Sequence, residues 1–434
     1  MERYQHGICT EHARLGWSVE AWVQSRTEIT RSEPMALATG SAMQWPNTKE
    51  PAASAVGSGA DVENRLNAPA ASAVDSGADV ENRLNAPAAS AVGSGGIAHY
   101  DAIAYASPTE SRNAKLSKLR AIAKPRFAKR DFVFVSHHAS VSGSLTDLLR
   151  DVPHVVHFHG PWADEAAMEG TPFWKTFLQR RQERRAYHSA DRIITLSEAF
   201  KKIVVERYGV SAEIVRVVPG GIDSEAADPK ISRAEARERM GWPTDRPIVL
   251  AMRRLVRRVG VDVFVEAIGL LLKGAQHNDA QKRFSDALFL IGGSGPLRDE
   301  LTKRIQELGL QEHVRLTGFI PDELLSTAYR AADFTIVPTQ SLEGFGLVTI
   351  ESMAAGTPVV VTPIGSLPEV MNPLDPNLVF AGPSALAIAD GLHGFLSGDV
   401  KMPSDEACRQ YVRSNYDWSV IAPKVLDVYR EASL

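Results

Sequence analysis

Short apolar runs alternate along the chain with amphipathic stretches, the pattern of a parallel α/β sheet with helices on its faces. The runs "WSVEAWV", "DFVFVSH", "HVVHFHG", "DRIITLS", "PIVLAMR", "ALFLIGG", "VRLTGF", "FTIVPT" and "PVVVTP" each predict a strand, and helical stretches lie between most of them. In "SEAFKKIVVERYGV" the punctuation of a helix is complete, with Ser197 as N-cap and Gly209 as stop. A segment rich in Pro, Gly and Asp, "VVPGGIDSEAADPKIS", separates two such α/β series and puts a domain boundary between 220 and 245.

One stretch breaks the pattern. Residues 51–68, "PAASAVGSGADVENRLNA", recur at 69–86 with Gly57 replaced by Asp75, and a half copy follows at 87–95. The unit is shorter than ordinary solenoid repeats and offers little beyond Val and Leu among Ala, Ser, Gly and Pro. It cannot bury enough surface to offset its ordering entropy, so a disordered insertion over about 41–97 is expected, with a partner-binding arm as the alternative.

Composition narrows the class. A length of 434 residues suits two domains, and a net charge of -4 gives no overall pull toward nucleic acid or anionic lipid. Cys9 and Cys408 are the only cysteines and stand at opposite ends, which implies neither a disulfide framework nor a zinc site and fits a reducing compartment. The opening "MERYQHGICTEH" lacks a signal-peptide layout, and no apolar run approaches the roughly 20 residues of a membrane span. A cytoplasmic protein is expected. The basic stretch 111–130, with Leu116, Leu119 and Ile122 interspersed, reads as a solvated helix face or as a patch for peripheral contact at the inner membrane face.

Chemistry enters through glycine turns and charges. "ALFLIGGSGPLRDELTKRIQELG" runs from a strand through Gly292, Gly293 and Gly295 into a helix, and "EGFGLVTIESMAAG" repeats the design with Gly344 and Gly346. Such turns let a ligand approach the backbone, and the helix N-terminus offers N–H groups to an anion; each alone is as well explained as a tight turn. Two in one domain, at the carboxyl ends of parallel strands, point to a phosphate-bearing ligand. Glu343 and Glu351 are too far apart along a helix to flank one bond as glycosidase carboxylates do, so they grip one ligand or are solvated charges at a helix start. Arg253, Arg254, Arg257 and Arg258 follow a strand directly and suit a diphosphate, unless they form a solvated face. His157 and His159 share one sheet face, with His154 nearby; no metal is expected there, and His159 at the strand tip suits a ligand contact.

Together these residues resemble the retaining nucleotide-sugar glycosyltransferases of family four (glycosyl transferase group one). The resemblance runs over 130–434 and again over 1–26, on the ordered series "HFHG", "ADRIITLS", "VVPGGID", "RRLVRR-x-G", "IGGSGPL", "VRLTGFI", "YRAADFTIVPT", "EGFGLVTIESMAAGTPVV" and "PIGSLPEV". It implies the GT-B fold: two facing Rossmann-like domains, here 1–222 on the acceptor side and 223–415 holding the donor, with a helix at 416–434 packing back on the first domain. It further implies that Glu343 holds donor-sugar hydroxyls, that Glu351 holds the ribose, and that the amides around Gly344, Phe345, Gly346 and Leu347 contact sugar and diphosphate. Arg254 would neutralise the leaving diphosphate, and His159 would shape the sugar pocket from the opposite domain. The turn of Gly293 and Gly295 would approach the phosphates, and Phe319 and Ile320 would offer backbone to the base. The partners implied are a nucleoside diphosphate sugar and a carbohydrate or lipid-linked acceptor in envelope polysaccharide or glycolipid synthesis, with no cofactor and no nucleic acid.

Two departures stand out. The lysine that the family usually carries five residues after that arginine is Val259 here, and Arg258 or Arg257 is expected to replace it. The family's opening strand and Gly-Gly loop are absent before "MERYQHG", so the true start is expected upstream of Met1 or the product is crippled. A nucleotide-sugar epimerase or phosphorylase of the same fold, and an inactive sugar-nucleotide-binding relic, are the alternatives. A dinucleotide oxidoreductase is disfavoured because neither glycine turn is a clean G-x-G-x-x-G with its acidic partner.

Overall fold

A computed structural model describes residues 8–9, 11–12, 15, 18–24, 37–44, 101–106, 110–275 and 286–434. The first sheet contains β1 (Ser18–Gln24), β2 (Leu37–Gln44), β3 (Asp101–Ala106), β4 (Phe132–Ser136), β5 (His154–Phe158), β6 (Arg192–Thr195) and β7 (Val215–Val217), in the order β3-β1-β2-β4-β5-β6-β7. The second contains β8 (Ile248–Met252), β9 (Leu288–Gly292), β10 (Val314–Gly318), β11 (Phe334–Val337) and β12 (Val359–Val361), in the order β10-β9-β8-β11-β12, and is parallel throughout. Every strand predicted from an apolar run is present. These are the two expected Rossmann-like units.

The first sheet departs from a parallel Rossmann-like sheet at β2, which runs antiparallel between β1 and β4. Among the described residues no parallel strand holds that place. The exposed N–H and C=O groups of β1 and β4 must pair with something, and an extended segment supplies partners whatever its side chains are. This corrects the expected start of the insertion: residues 41–44 belong to β2, while 45–97, including the repeats, lie outside the described residues.

Helix α1 (Arg112–Phe127) is held to the first sheet by Leu119, Ala123 and Phe127, one residue per turn on a single face, packed against Phe132 and Phe134. Leu116 and Ile122 are half-buried, and Ile122 packs against the same cluster. After β5 come α2 (Trp162–Met168) and α3 (Phe173–His188), and after β6 comes α4 (Glu198–Tyr208). Helix α4 is closed as its sequence predicts: the Ser197 hydroxyl accepts from the Phe200 amide at 3.2 Å, and Gly209 takes the left-handed conformation at φ 71°.

The second unit adds α5 (Val261–Ala275), α6 (Arg298–Glu307), α7 (Asp322–Ala331), α8 (Leu347–Ala354), α9 (Leu367–Met371), α10 (Asp405–Tyr416) and α11 (Trp418–Ser433). The chain crosses between the units twice, and the crossings are tied to each other. Ile222 donates its amide to the Tyr416 carbonyl at 2.9 Å, Trp418 donates to the Ile222 carbonyl at 3.0 Å, and Asp417 accepts from Ser224 at 2.6 Å. Gly221 leaves room for the Trp418 ring, which a Cβ there would meet at 2.5 Å. Helix α11 then lies on the first sheet, where Tyr429 meets His157 and Glu431 pairs with Arg192 and Arg216. No helix among the described residues is long and apolar enough to cross a membrane.

Candidate functional site

Strand order in the second sheet reverses between β8 and β11, so the loops leaving those strands open a crevice at the carboxyl edge. The loop after β8 carries the arginines and the loop after β11 leads through Glu343 into α8. Arg253, with a side chain only 8% exposed, donates from Nη2 to Glu343 at 2.5 Å and to the Thr339 hydroxyl at 3.0 Å. Thr339 donates in turn to the same Glu343 oxygen at 2.8 Å. Glu343 is therefore fixed by two donors rather than waving in solvent. The Nε donors of Arg253 and Arg258 are buried without an acceptor among the described residues, and a buried donor left unpaired is costly unless a ligand satisfies it.

The glycine turns do two different jobs. Gly293 (φ 123°) and Gly295 (φ 159°) let the turn after β9 lie against the arginine loop, where a Cβ would sit 2.0 Å from the Arg253 carbonyl oxygen and 2.4 Å from that of Leu255. They thus seat the arginine loop. Gly346, left-handed at φ 74°, is the N-cap of α8 and has no side chain to offer, so the amides of Leu347 and Val348 are not capped by it, an arrangement able to receive an anion. Phe345 is buried against Tyr416 with ring centroids 5.5 Å apart, which leaves only its backbone for the crevice, and Leu347 packs toward Gly220. Glu351, on the second turn of α8, accepts from the Tyr329 hydroxyl at 2.8 Å. Beyond β10 the Phe319 ring is 71% exposed, while Ile320 is buried beside Ala328 and Tyr329.

The four arginines separate clearly. Arg254 reaches across to Glu169 at 3.7 Å, and Arg258, largely buried, faces Glu165 at 3.9 Å; both glutamates belong to the first unit, at the α2 end of the cleft. Burial raises the Glu165 carboxyl above its ordinary range, with Arg258 pulling the other way and Glu169 reinforcing the rise. Arg257 instead turns to the outer surface, bonded to Glu300 at 2.8 Å and to Asp262 at 3.4 Å. Val259, where the resemblance expects lysine, is buried in the core, so of the two proposed replacements only Arg258 faces the cleft.

From the opposite side, β5 delivers His159 beside Gly160. His159 Nε2 is hydrogen-bonded to His137 Nδ1 at 3.1 Å, and the rings of His137 and His157 stack at 4.3 Å. Burial holds these imidazoles neutral: His137 is pushed down to about 3, and His157 and His159 lie well below the ordinary histidine value. Ring nitrogens of His137, His157 and His159 lie within 4.8 Å of one another, a set able to hold a metal ion, although His157 already meets the Tyr429 hydroxyl at 2.8 Å. The units also touch where Glu369 of α9 accepts the amides of Glu198 and Ala199 at 2.9 and 2.8 Å, and where Gly344 lies on the Phe200 ring.

Sequence reasoning named Arg253 only as one of the arginine cluster, gave the diphosphate to Arg254, and passed over Thr339, Glu165, Glu169 and Glu369. Strand parity could not separate the two arginines, because both faces of β8 are covered and its burial does not alternate. The glutamates act across the cleft, which no local spacing records.

The model for glycosyl transferases group 1 matches residues 232–415, and that for glycosyltransferase family 4 matches 95–226. A D-inositol 3-phosphate glycosyltransferase of Catenulispora acidiphila is 29% identical over 70% of this chain and 73% of its own length. An uncharacterized glycosyltransferase of Methanocaldococcus jannaschii is 30% identical over 55% of this chain and 60% of that protein. Among solved structures, sucrose-phosphate synthase of Thermosynechococcus elongatus superposes with a TM-score of 0.59 at 25% identity, covering 76% of this chain and 82% of that one. Anabaena HepE in complex with UDP-glucose gives 0.61 at 16% identity, covering 76% and 86%. The architecture is GT-B.

Proposed function

Because the chain belongs to the group 1, family four glycosyltransferases, we propose that it moves a sugar from a nucleoside diphosphate sugar to an acceptor hydroxyl with retention of anomeric configuration. The observation that carries this reading is the cationic rim of the crevice: Arg254 and the partly orphaned Arg258 beside the open N-terminus of α8, with Glu343 held between them and the helix. A diphosphate takes the place of the Glu165 and Glu169 carboxylates on the two arginines. Glu343, oriented by Arg253 and Thr339, accepts hydroxyls of the donor sugar, and Glu351 accepts those of the ribose. The UDP-glucose complex of HepE supports a donor of this kind.

Glu343 is already bonded to Arg253 and Thr339, and among the described residues no free carboxylate on the donor side is placed as a nucleophile. Front-face displacement follows, with the departing phosphate taking the acceptor proton and Arg254, Arg258 and the α8 amides stabilising its charge. The neutral histidines serve as hydrogen-bonding walls of the sugar pocket, and the mechanism needs no metal. The acceptor is a carbohydrate or a lipid-linked group in envelope polysaccharide or glycolipid synthesis.

The test is a panel of nucleoside diphosphate sugars, each incubated with the full chain and followed by NMR for released sugar and for its anomeric configuration. Release of nucleoside diphosphate with α-sugar retained from an α-donor is expected from at least one donor, since such enzymes leak to water. Release of sugar phosphate or of an epimer, or no turnover with any donor, would overturn the reading.

A further inference from the structure

Helix α3 exposes an unusual stripe. Phe173, Trp174, Phe177 and Leu178 are 78, 61, 53 and 55% exposed, and at 100° per residue they share one side of the helix with Arg181, Arg184 and Arg185, all exposed. The opposite side is spent on the protein: Thr176, Glu183, Ala186 and Tyr187 are buried there. The stripe is therefore divided lengthwise, aromatic and aliphatic over its first turns and cationic over its last. Its carboxylate neighbours are engaged. Asp164 is held by Arg180 and Arg207, Glu169 faces Arg254, and Asp147 pairs with Arg120 of α1.

We propose that this stripe docks the protein on an anionic lipid bilayer. Lone surface apolar residues are ordinary, but four large ones in one exposed row are not. Aromatic rings favour the headgroup boundary, where their faces meet acyl chains, and guanidinium groups behind them meet lipid phosphates bidentately. The exposed charges on the stripe itself, Arg181, Arg184 and Arg185, are all cationic, which suits an anionic plane. The chain's overall charge of -4 makes the attraction a local property of this helix. The basic side continues past α3, since Arg185 bonds to Thr146 beside Asp147 and Arg120.

Docking by α3 sets the cleft next to the bilayer, because α2 alone separates α3 from Gly160 and carries Glu165 and Glu169 to the arginines. This consequence, that the acceptor is drawn from the membrane, rests on the transferase reading; the docking itself does not. Vesicle co-sedimentation of the full chain, without donor or acceptor, tests it alone. Binding is expected to vesicles containing about one-third phosphatidylglycerol, weakening with salt, and not to phosphatidylcholine alone. Phe173→Ala/Trp174→Ala/Phe177→Ala and Arg181→Gln/Arg184→Gln/Arg185→Gln should each lower binding roughly tenfold or more. Lys118→Gln/Lys124→Gln/Lys129→Gln on α1 should leave it within about twofold, and all these positions are exposed, so the fold is kept. No binding to the anionic vesicles, equal binding of the α3 variants, or an α3 variant that only dissolves a dimer seen by light scattering would overturn the proposal.

Discussion

Arg257 and Arg258 stand side by side in a 3-10 turn yet face opposite ways, and the contrast is a residue-scale test of the site. Arg257 is bonded to Glu300 and Asp262 on the outer surface, where exposed ion pairs contribute little. Arg258 is largely buried, aims at Glu165 across the cleft, and holds an Nε without an acceptor. If it replaces the lysine expected at Val259, Arg258→Ala removes a charge that stabilises the departing diphosphate, a loss of about 2.7 to 4 kcal/mol in the transition state, or some 10²- to 10³-fold in turnover. Arg257→Ala should stay within about twofold. Steady-state kinetics on the two variants checks this, and equal effects would remove Arg258 from the site.

At the scale of elements, what was legible in the sequence had local causes. Apolar runs marked β4, β5, β6 and all five strands of the second sheet, and Ser197 and Gly209 bounded α4 to the residue. What was not legible depended on partners distant in sequence. Strand β3, "DAIAYA", is half alanine, β7 is only three residues long, and β2 is defined by its antiparallel place between two other strands. The same division runs through the site. Glu343 and Glu351 stand out in the sequence from the helix start between them, while the bond by which Arg253 orients Glu343 and the facing of Glu165 and Glu169 to the arginines appear only when the loops are brought together. Gly344 shows how one glycine serves two elements. It reads as a ligand turn, but its missing side chain also admits the Phe200 ring of α4, which a Cβ would meet at 2.4 Å. Gly344→Ala should therefore cost about 1–3 kcal/mol through overpacking at the contact between the units. Adding Phe200→Leu should recover part of that loss in thermal unfolding, and a double variant no more stable than Gly344→Ala would argue against the clash.

For the whole molecule, buried histidines of the first unit carry no charge, and two of them, His157 and His12, bind it to the last helix. His157 meets Tyr429 of α11, His12 donates to the Ala422 carbonyl of the same helix at 3.3 Å, and His154 accepts from Ser136 while donating to the Ser189 carbonyl. Burial pushes His12, His138 and His154 down to about 4 and His137 to about 3, with His157 and His159 lowered as well. The sign follows directly. Above pH 6.5 these groups are neutral in both folded and unfolded chains and contribute no pH dependence. As pH falls below 6.5 the unfolded chain takes up protons that the folded chain refuses until about pH 4, so stability drops across that window. Each such histidine removes up to about 1.4 kcal/mol per pH unit, and four together on the order of 5 kcal/mol per unit, against a total stability of roughly 5–15 kcal/mol. Glu183, whose carboxyl burial raises to about 7, and Glu165, raised by burial as well, work in the opposite direction, two groups against at least four. Carboxylates lowered by their partners, such as Asp405 and Asp417, act only below the ordinary carboxylate range and cannot account for a loss that begins at pH 6.5. The urea midpoint should fall steeply from pH 7 to pH 5, and His154→Gln, which keeps a donor and an acceptor but cannot titrate, should flatten the slope by about one proton. A midpoint unchanged between pH 7 and pH 5 would mean that these buried histidines, His157 and His12 against α11 among them, are not held neutral in the folded chain.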